Sequence, residues 1–215
     1  MPPVAGGLAE VLEQYWGYRA FRPLQREAME SVLAARDTLL VLPTGGGKSL
    51  CFQAPAVAMD GLAIVVSPLI SLMKDQVDTL VGNGVAAACY HSALQPQEKS
   101  EVASGIREGR YSLLYVAPER LVGEGSDGFA GLVGRRPLSF VAVDEAHCIS
   151  QWGHDFRPDY LRLKRALAQL GDPQVVALTA TATPIVREDV KEQLELGRRS
   201  EEHTSELQSR PHISY

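Results

Sequence analysis

Cysteine is scarce in this 215-residue chain: Cys51, Cys89 and Cys148 lie far apart, form no CxxC pair and add up to an odd number. A disulfide framework and a thiolate zinc site are thereby disfavoured, and reduced structural thiols are expected. Long apolar runs are missing as well. No stretch approaches the roughly 18 uninterrupted apolar residues of a spanning helix. The opening Met1-Pro2-Pro3-Val4-Ala5-Gly6-Gly7 has neither the basic nor the apolar region of a signal peptide. No membrane partner and a cytoplasmic location are expected. A basic excess is the third absence. The chain has 21 Lys and Arg against 26 Asp and Glu, a formal net charge of -5, which taken alone argues against a nucleic-acid partner. What is present, 45% hydrophobic and 22% charged residues, is the composition of an ordinary folded domain, and the length suits one sizeable core.

Short runs of Val, Leu, Ile and Ala at residues 38–42, 62–66, 85–89, 113–116, 140–143 and 175–178 do not alternate with polar residues. Such runs suit strands buried on both faces, as in a parallel sheet covered by helices. Between them, residues 69–80 and 97–107 carry apolar side chains at three- and four-residue spacing, which predicts crossover helices. Two further helices are expected ahead of the first strand, at 8–15 and 24–35 with Pro23 at a first turn, and another at 185–196. The alternation predicts an α/β three-layer domain with a mostly parallel central sheet over residues 8–196. Gly123-Glu124-Gly125-Ser126-Asp127-Gly128 reads as a surface loop. From Gly197 the hydrophobic period is lost, so residues 197–215 are expected to be a tail outside the domain; residues 199–209 resemble the translation of a sequencing adapter.

The first apolar run leads into Pro43-Thr44-Gly45-Gly46-Gly47-Lys48-Ser49 and then a helical stretch from Leu50. Three glycines let backbone N–H groups crowd against phosphate oxygens, and the following helix N-terminus favours negative charge. Lys48 can reach the β- and γ-phosphates, and the Ser49 hydroxyl can ligate Mg²⁺. The GxxxxGK[ST] pattern fails at its first position, where the chain has Leu42. An incidental Gly-rich hairpin is the alternative.

Asp144-Glu145-Ala146-His147 follows the fifth apolar run. Ligands of a parallel sheet gather at the carboxyl ends of its strands, so a carboxylate here can face the phosphate loop. Asp144 would then serve the Mg²⁺ shell, Glu145 would orient and deprotonate a water, and His147 would couple hydrolysis to motion. A helix cap or a solvated turn is the plainer reading of two adjacent acids.

These two motifs, with several others, resemble the first helicase lobe of the RecQ family within superfamily 2, over about residues 8–196. Members of that superfamily often replace the first glycine of the phosphate loop, as Leu42 does. The segment Tyr15-Trp16-Gly17-Tyr18-Arg19-Ala20-Phe21-Arg22-Pro23-Leu24-Gln25 resembles the family's adenine-reading segment. The resemblance implies that Tyr18 stacks on the base, Arg22 supports the nucleotide and Gln25 bonds the adenine edge. A carboxamide offers the donor and acceptor that such an edge requires; core packing of the aromatics is the alternative. The run from Val65 to Gln76 resembles motif Ia and that from Ala117 to Leu121 motif Ib. Ser67 and Ser71 would be phosphate donors there, or helix caps. The run from Ala177 to Thr183 resembles motif III, with Thr179 and Thr181 bridging the acidic box to the nucleic-acid face.

Cys148-Ile149-Ser150-Gln151-Trp152-Gly153-His154-Asp155-Phe156-Arg157-Pro158 resembles the aromatic-rich loop with which RecQ enzymes sense single-stranded DNA. Trp152 and Phe156 could stack on bases, or tuck into the domain's own surface. His154 and Arg157 belong to the same loop, which RNA-directed DEAD and DEAH relatives lack.

The resemblance thus implies an ATP- and Mg²⁺-dependent 3′-to-5′ DNA helicase acting in repair and recombination on single-stranded and branched DNA, nucleoid-associated in a bacterium. Only its first lobe is expected here. Phosphoryl transfer needs a further positive group, which in this superfamily comes from a second lobe. The chain alone is therefore expected to bind ATP weakly, hydrolyse it poorly and not unwind DNA. A superfamily 2 RNA helicase and a nucleotide-gated binding module without turnover are the rival readings.

Overall fold

Apolar runs that skip the usual polar alternation must be covered on both sides, and the computed structural model places them in that setting. It describes residues 7–122, 126–134, 136–153, 155–197 and 205–207. Six parallel strands are formed by β1 (Thr38–Val41), β2 (Leu62–Val66), β3 (Ala87–Tyr90), β4 (Leu113–Val116), β5 (Leu138–Val143) and β6 (Val175–Thr179). Their order is β3-β4-β2-β5-β6-β1, and β7 (Ser205–Leu207), within the segment expected to be a tail, runs parallel to Thr38–Leu40 beyond β1. The sheet is parallel throughout.

Helices α1 (Leu8–Trp16), α2 (Gln25–Leu33), α3 (Leu50–Ala58) and α4 (Ile70–Gly82) cover one face. The other is covered by α5 (Pro96–Glu108), α6 (Pro118–Val122), α7 (Ser126–Val133), α8 (Leu163–Gln169) and α9 (Pro184–Leu194). The period of two survives inside the apolar runs. Leu62, Ile64 and Val66 pack into the second layer, Ala63 and Val65 into the first, and all five are essentially unexposed.

Several boundaries depart from the sequence reading; β5 begins two residues early, at Leu138, and α9 ends two residues early, at Leu194. β3 begins two residues late because the Val85 N–H donates to the Leu80 carbonyl and closes the end of α4. Pro23 is not in a helical turn: α2 starts at Gln25, behind a left-handed Leu24 (φ 66°). The expected loop at 123–128 gives way to helix from Ser126, while residues 123–125 lie outside the described ones. No helix among the described residues is long and apolar enough to cross a membrane. Cys51, Cys89 and Cys148 are free, and burial pushes their thiols up to about 12, 11 and 11, as inert structural thiols require.

Asp37 ties the sheet together at its other end. Its Oδ1 accepts from Val175 N–H (2.9 Å) and its Oδ2 from Gly197 N–H (3.1 Å), joining the entry to β1, the start of β6 and the residues after α9. With Asp37 only 6% exposed, Asp37→Ala leaves a buried N–H without a partner. The expected loss is about 2–4 kcal/mol in urea unfolding, with Asp37→Asn recovering part of it.

Candidate nucleotide site and its nucleic-acid edge

A sheet whose strands all run one way brings every carboxyl end to one edge. The phosphate loop after β1, the Thr179 end of β6, the acidic box after β5 and Ser67 after β2 therefore stand in a row. At one end of it lies a cleft of about 450 Å³ lined by Tyr18, Arg22, Gln25, Thr44, Lys48, Ser49, Asp144 and Glu145, among others.

The loop holds its shape through glycine. Gly45 and Gly47 are left-handed (φ 77° and 79°), and a Cβ on Gly46 would stand 2.8 Å from the Pro43 carbonyl oxygen. Lys48 Nζ donates to the Leu42 carbonyl at 3.1 Å, across the mouth of the loop. The adenine-segment residues brace the same loop. Arg22 Nη1 donates to the Gly45 carbonyl, and Gln25 Nε2 to the Gly47 carbonyl at 3.3 Å. Gln25 Oε1 accepts the Arg22 N–H at 2.8 Å, which leaves its amide one N–H and one lone pair. Tyr18 is 51% exposed at the cleft rim rather than in the core, whereas Tyr15 is buried.

Asp144 is 7% exposed, its Oδ1 accepts the Glu145 N–H, and its carbonyl accepts from the Tyr160 hydroxyl. Burial, reinforced by the Glu145 charge, pushes its carboxyl up to about 6 against the pull of that N–H and of Lys48. Glu145 is left-handed (φ 47°, ψ 46°), an uncommon conformation for a residue with a Cβ and a mark of functional constraint. The pair caps no helix by its side chains.

From Glu145 a relay runs along the strand ends. His147 Nδ1 stands 3.3 Å from Glu145 Oε2 and 2.9 Å from Thr179 Oγ1. The Thr179 hydroxyl donates to the Thr181 carbonyl and also accepts the Thr181 N–H. One hydroxyl thus meets both backbone groups of Thr181 and the imidazole of His147. His147 Nε2 faces Asp155 at 3.8 Å.

The nucleic-acid candidates are brought to the same edge. Ser67 is 1% exposed with no hydrogen-bond partner for its hydroxyl, while Ser71 is exposed. Neither caps α4, whose N-cap is Leu69. Arg157 Nη1 donates to the Pro68 carbonyl at 3.0 Å and so ties the aromatic loop to the motif Ia segment. Trp152 is 75% exposed, so it does not pack into the domain, and Phe156 is half-buried. His154 lies outside the described residues.

Sequence reasoning missed Gln53 and gave Gln76 no role, yet both line the cleft. The signal was available for Gln53, a lone polar residue in the apolar stretch LCFQAPAVA of α3, since a buried amide requires partners.

The fold and this row of loops define a RecA-like P-loop lobe. The chain belongs to the DEAD/DEAH box helicase family, whose model matches residues 22–190, and its own box reads Asp-Glu-Ala-His. It is similar to the ATP-dependent DNA helicase RecQ of Bacillus subtilis, 47% identical over 90% of this chain and 33% of that protein. It is also similar to the mouse ATP-dependent DNA helicase Q5, 48% identical over 83% of this chain and 19% of that protein. The chain thus spans about a third or less of these relatives' length. Among solved structures, the DUF1998 helicase MrfA bound to DNA and AMPPNP shares the fold at 18% identity (TM-score 0.70, 96% of this chain, 30% of that one). The Mycobacterium smegmatis helicase Lhr bound to ssDNA and AMP-PNP does so at 19% identity (TM-score 0.68, 94% and 27%).

A carboxyl raised by folding destabilises the protein wherever it is ionised. Above pH 7 both states carry the Asp144 charge and only the folded one buries it; well below the ordinary value of 3.8 neither carries it. Asp144→Asn should therefore raise the unfolding free energy by about 1–3 kcal/mol at pH 8, with the gain fading as pH falls through about 6 to 4 in urea titrations.

Proposed function

We propose that this chain is the first lobe of a RecQ-type ATP-dependent DNA helicase. One observation carries the reading: the phosphate loop, the acidic box and the His147–Thr179–Thr181 relay share one edge of the sheet, and the relay leads from the nucleotide cleft toward the aromatic loop.

The oxygen donors of the cleft suit Mg²⁺, which is held by one or two carboxylates or hydroxyls while phosphates and waters complete its shell. Ser49 and Asp144 would be the protein's share, and the ion would supply charge stabilisation to the transferring phosphoryl group. Lys48 exchanges the Leu42 carbonyl for phosphate oxygens. Tyr18, Arg22 and Gln25 hold the adenine side, Gln25 with its spare N–H and lone pair. Glu145 orients the attacking water and takes its proton, and His147 reports that state to Thr179. On the DNA side, Ser67 and Ser71 donate to backbone phosphates. Trp152, Phe156 and Arg157, with His154, sense a single strand, since an exposed indole is a stacking surface for any base. That loop favours DNA over RNA as the stimulating strand, with branched substrates and 3′-to-5′ travel following the RecQ type. A second lobe contributes the arginine that completes phosphoryl transfer, and residues 199–209 are read as an adapter translation rather than native sequence, although Gly197 bonds Asp37 and Ser205–Leu207 pairs with β1. This lobe alone therefore does not unwind DNA.

In the polypeptide that joins this lobe to a second one, Glu145→Gln should keep ATP binding and lower turnover by about two to four orders of magnitude. Unchanged turnover would remove Glu145 from its role. Trp152→Ala should leave basal hydrolysis intact and reduce its stimulation by single-stranded DNA. Hydrolysis measured with DNA, with RNA and with neither separates this reading from an RNA helicase and from a module without turnover.

A further inference from the structure

A buried polar network lies behind the phosphate loop, made of residues that nucleotide binding does not by itself require. Gln53 Nε2 donates to Gln76 Oε1 (2.8 Å) and to the Tyr115 hydroxyl (2.9 Å), and that hydroxyl donates to Gln76 Oε1 (2.9 Å). Gln76 Nε2 in turn donates to Ser49 Oγ at 3.1 Å. Gln53 and Tyr115 are 7% and 1% exposed, in a setting where unmatched polar atoms are costly.

The direction of these bonds follows from their members. Gln76 Oε1 receives two donors, so its amide nitrogen is the atom that faces Ser49. Ser49 occupies the N-cap of α3, where a serine usually turns its oxygen back to a backbone N–H of the first turn. Here its backbone is already helical (φ -58°, ψ -37°) and it makes no such bond. Its oxygen instead accepts from Gln76. A hydroxyl has two lone pairs and one proton. With one lone pair held by Gln76, the other lone pair and the proton are left to the cleft, in one fixed rotamer.

We infer that Gln76 is a positioning residue for Ser49: held by Gln53 and Tyr115, it presents the serine's free lone pair to the cation of a Mg²⁺–nucleotide complex. The inference rests on the reading of the cleft as a nucleotide site. It assigns a task to a residue of α4 beyond the phosphate contacts proposed for that helix's start, because partners that orient a metal ligand commonly govern its affinity.

Calorimetric titration of ADP into the chain, once with Mg²⁺ and once with EDTA, measures the factor by which Mg²⁺ tightens binding. Gln76→Leu should cut that factor by about tenfold and leave the affinity in EDTA as in the wild type. Tyr115→Phe, which removes one of the two donors on Gln76 Oε1, should cut it less. Loss of ADP affinity to the same extent with and without Mg²⁺, or a factor equal to the wild type's, would overturn the inference. If thermal melting shows Gln76→Leu unfolded, Tyr115→Phe decides alone, and an unchanged factor in it overturns the inference equally. A wild-type chain that binds ADP neither with nor without Mg²⁺ would instead overturn the nucleotide-site reading.

Discussion

The constraint on which everything else rests is the single direction of the six core strands. Parallel strands need a crossover between each pair, and the crossovers bury both faces of the sheet. All the loops that do chemistry are then left at one edge. β1 and β5, which carry the phosphate loop and the acidic box, are not neighbours; β6 lies between them. Thr179, at the end of that middle strand, is therefore placed to receive the imidazole of His147. Strand order, rather than any single residue, makes the acidic box and motif III one device.

Within that frame the site departs from what local stability favours. Asp144 is buried next to Glu145, Glu145 takes a left-handed backbone, and Trp152 stands in solvent. Each is unfavourable in the lobe alone, and each is understandable if phosphate, cation and DNA are the partners the edge awaits. The acidic overall charge loses its force as an objection, because the nucleic-acid candidates are hydroxyls, an aromatic loop and one arginine rather than a basic field.

Much of this was legible in the sequence because the signals were local. Unalternated apolar runs announced strands covered on both sides, and all six fell within about two residues of their expected ends. Gly45, Gly46 and Gly47 with Lys48 and Ser49 announced a phosphate loop, since only glycine tolerates both the positive φ and the close approach to the Pro43 carbonyl. The start of α2 was misjudged because Pro23 suits several turns and only Leu24's left-handed backbone decides among them. The helix from Ser126 was hidden by a glycine-rich composition that its packing against the core overrides.

The amino-acid sequence by itself determined the layer architecture, the phosphate loop, the acidic box and the family resemblance, because each depends on residues close together in the chain. The tertiary structure decided which distant groups meet. It joined Ser49 to Gln76 across 27 residues and His147 to Thr179 across 32, and it bound Arg157 to the Pro68 carbonyl across 89. It also showed that Gln25 braces the phosphate loop, and that Ser67 and Ser71 cap no helix. The physical reason is that hydrogen bonds between loops depend on strand order and register, which the periodicity of any one segment does not encode.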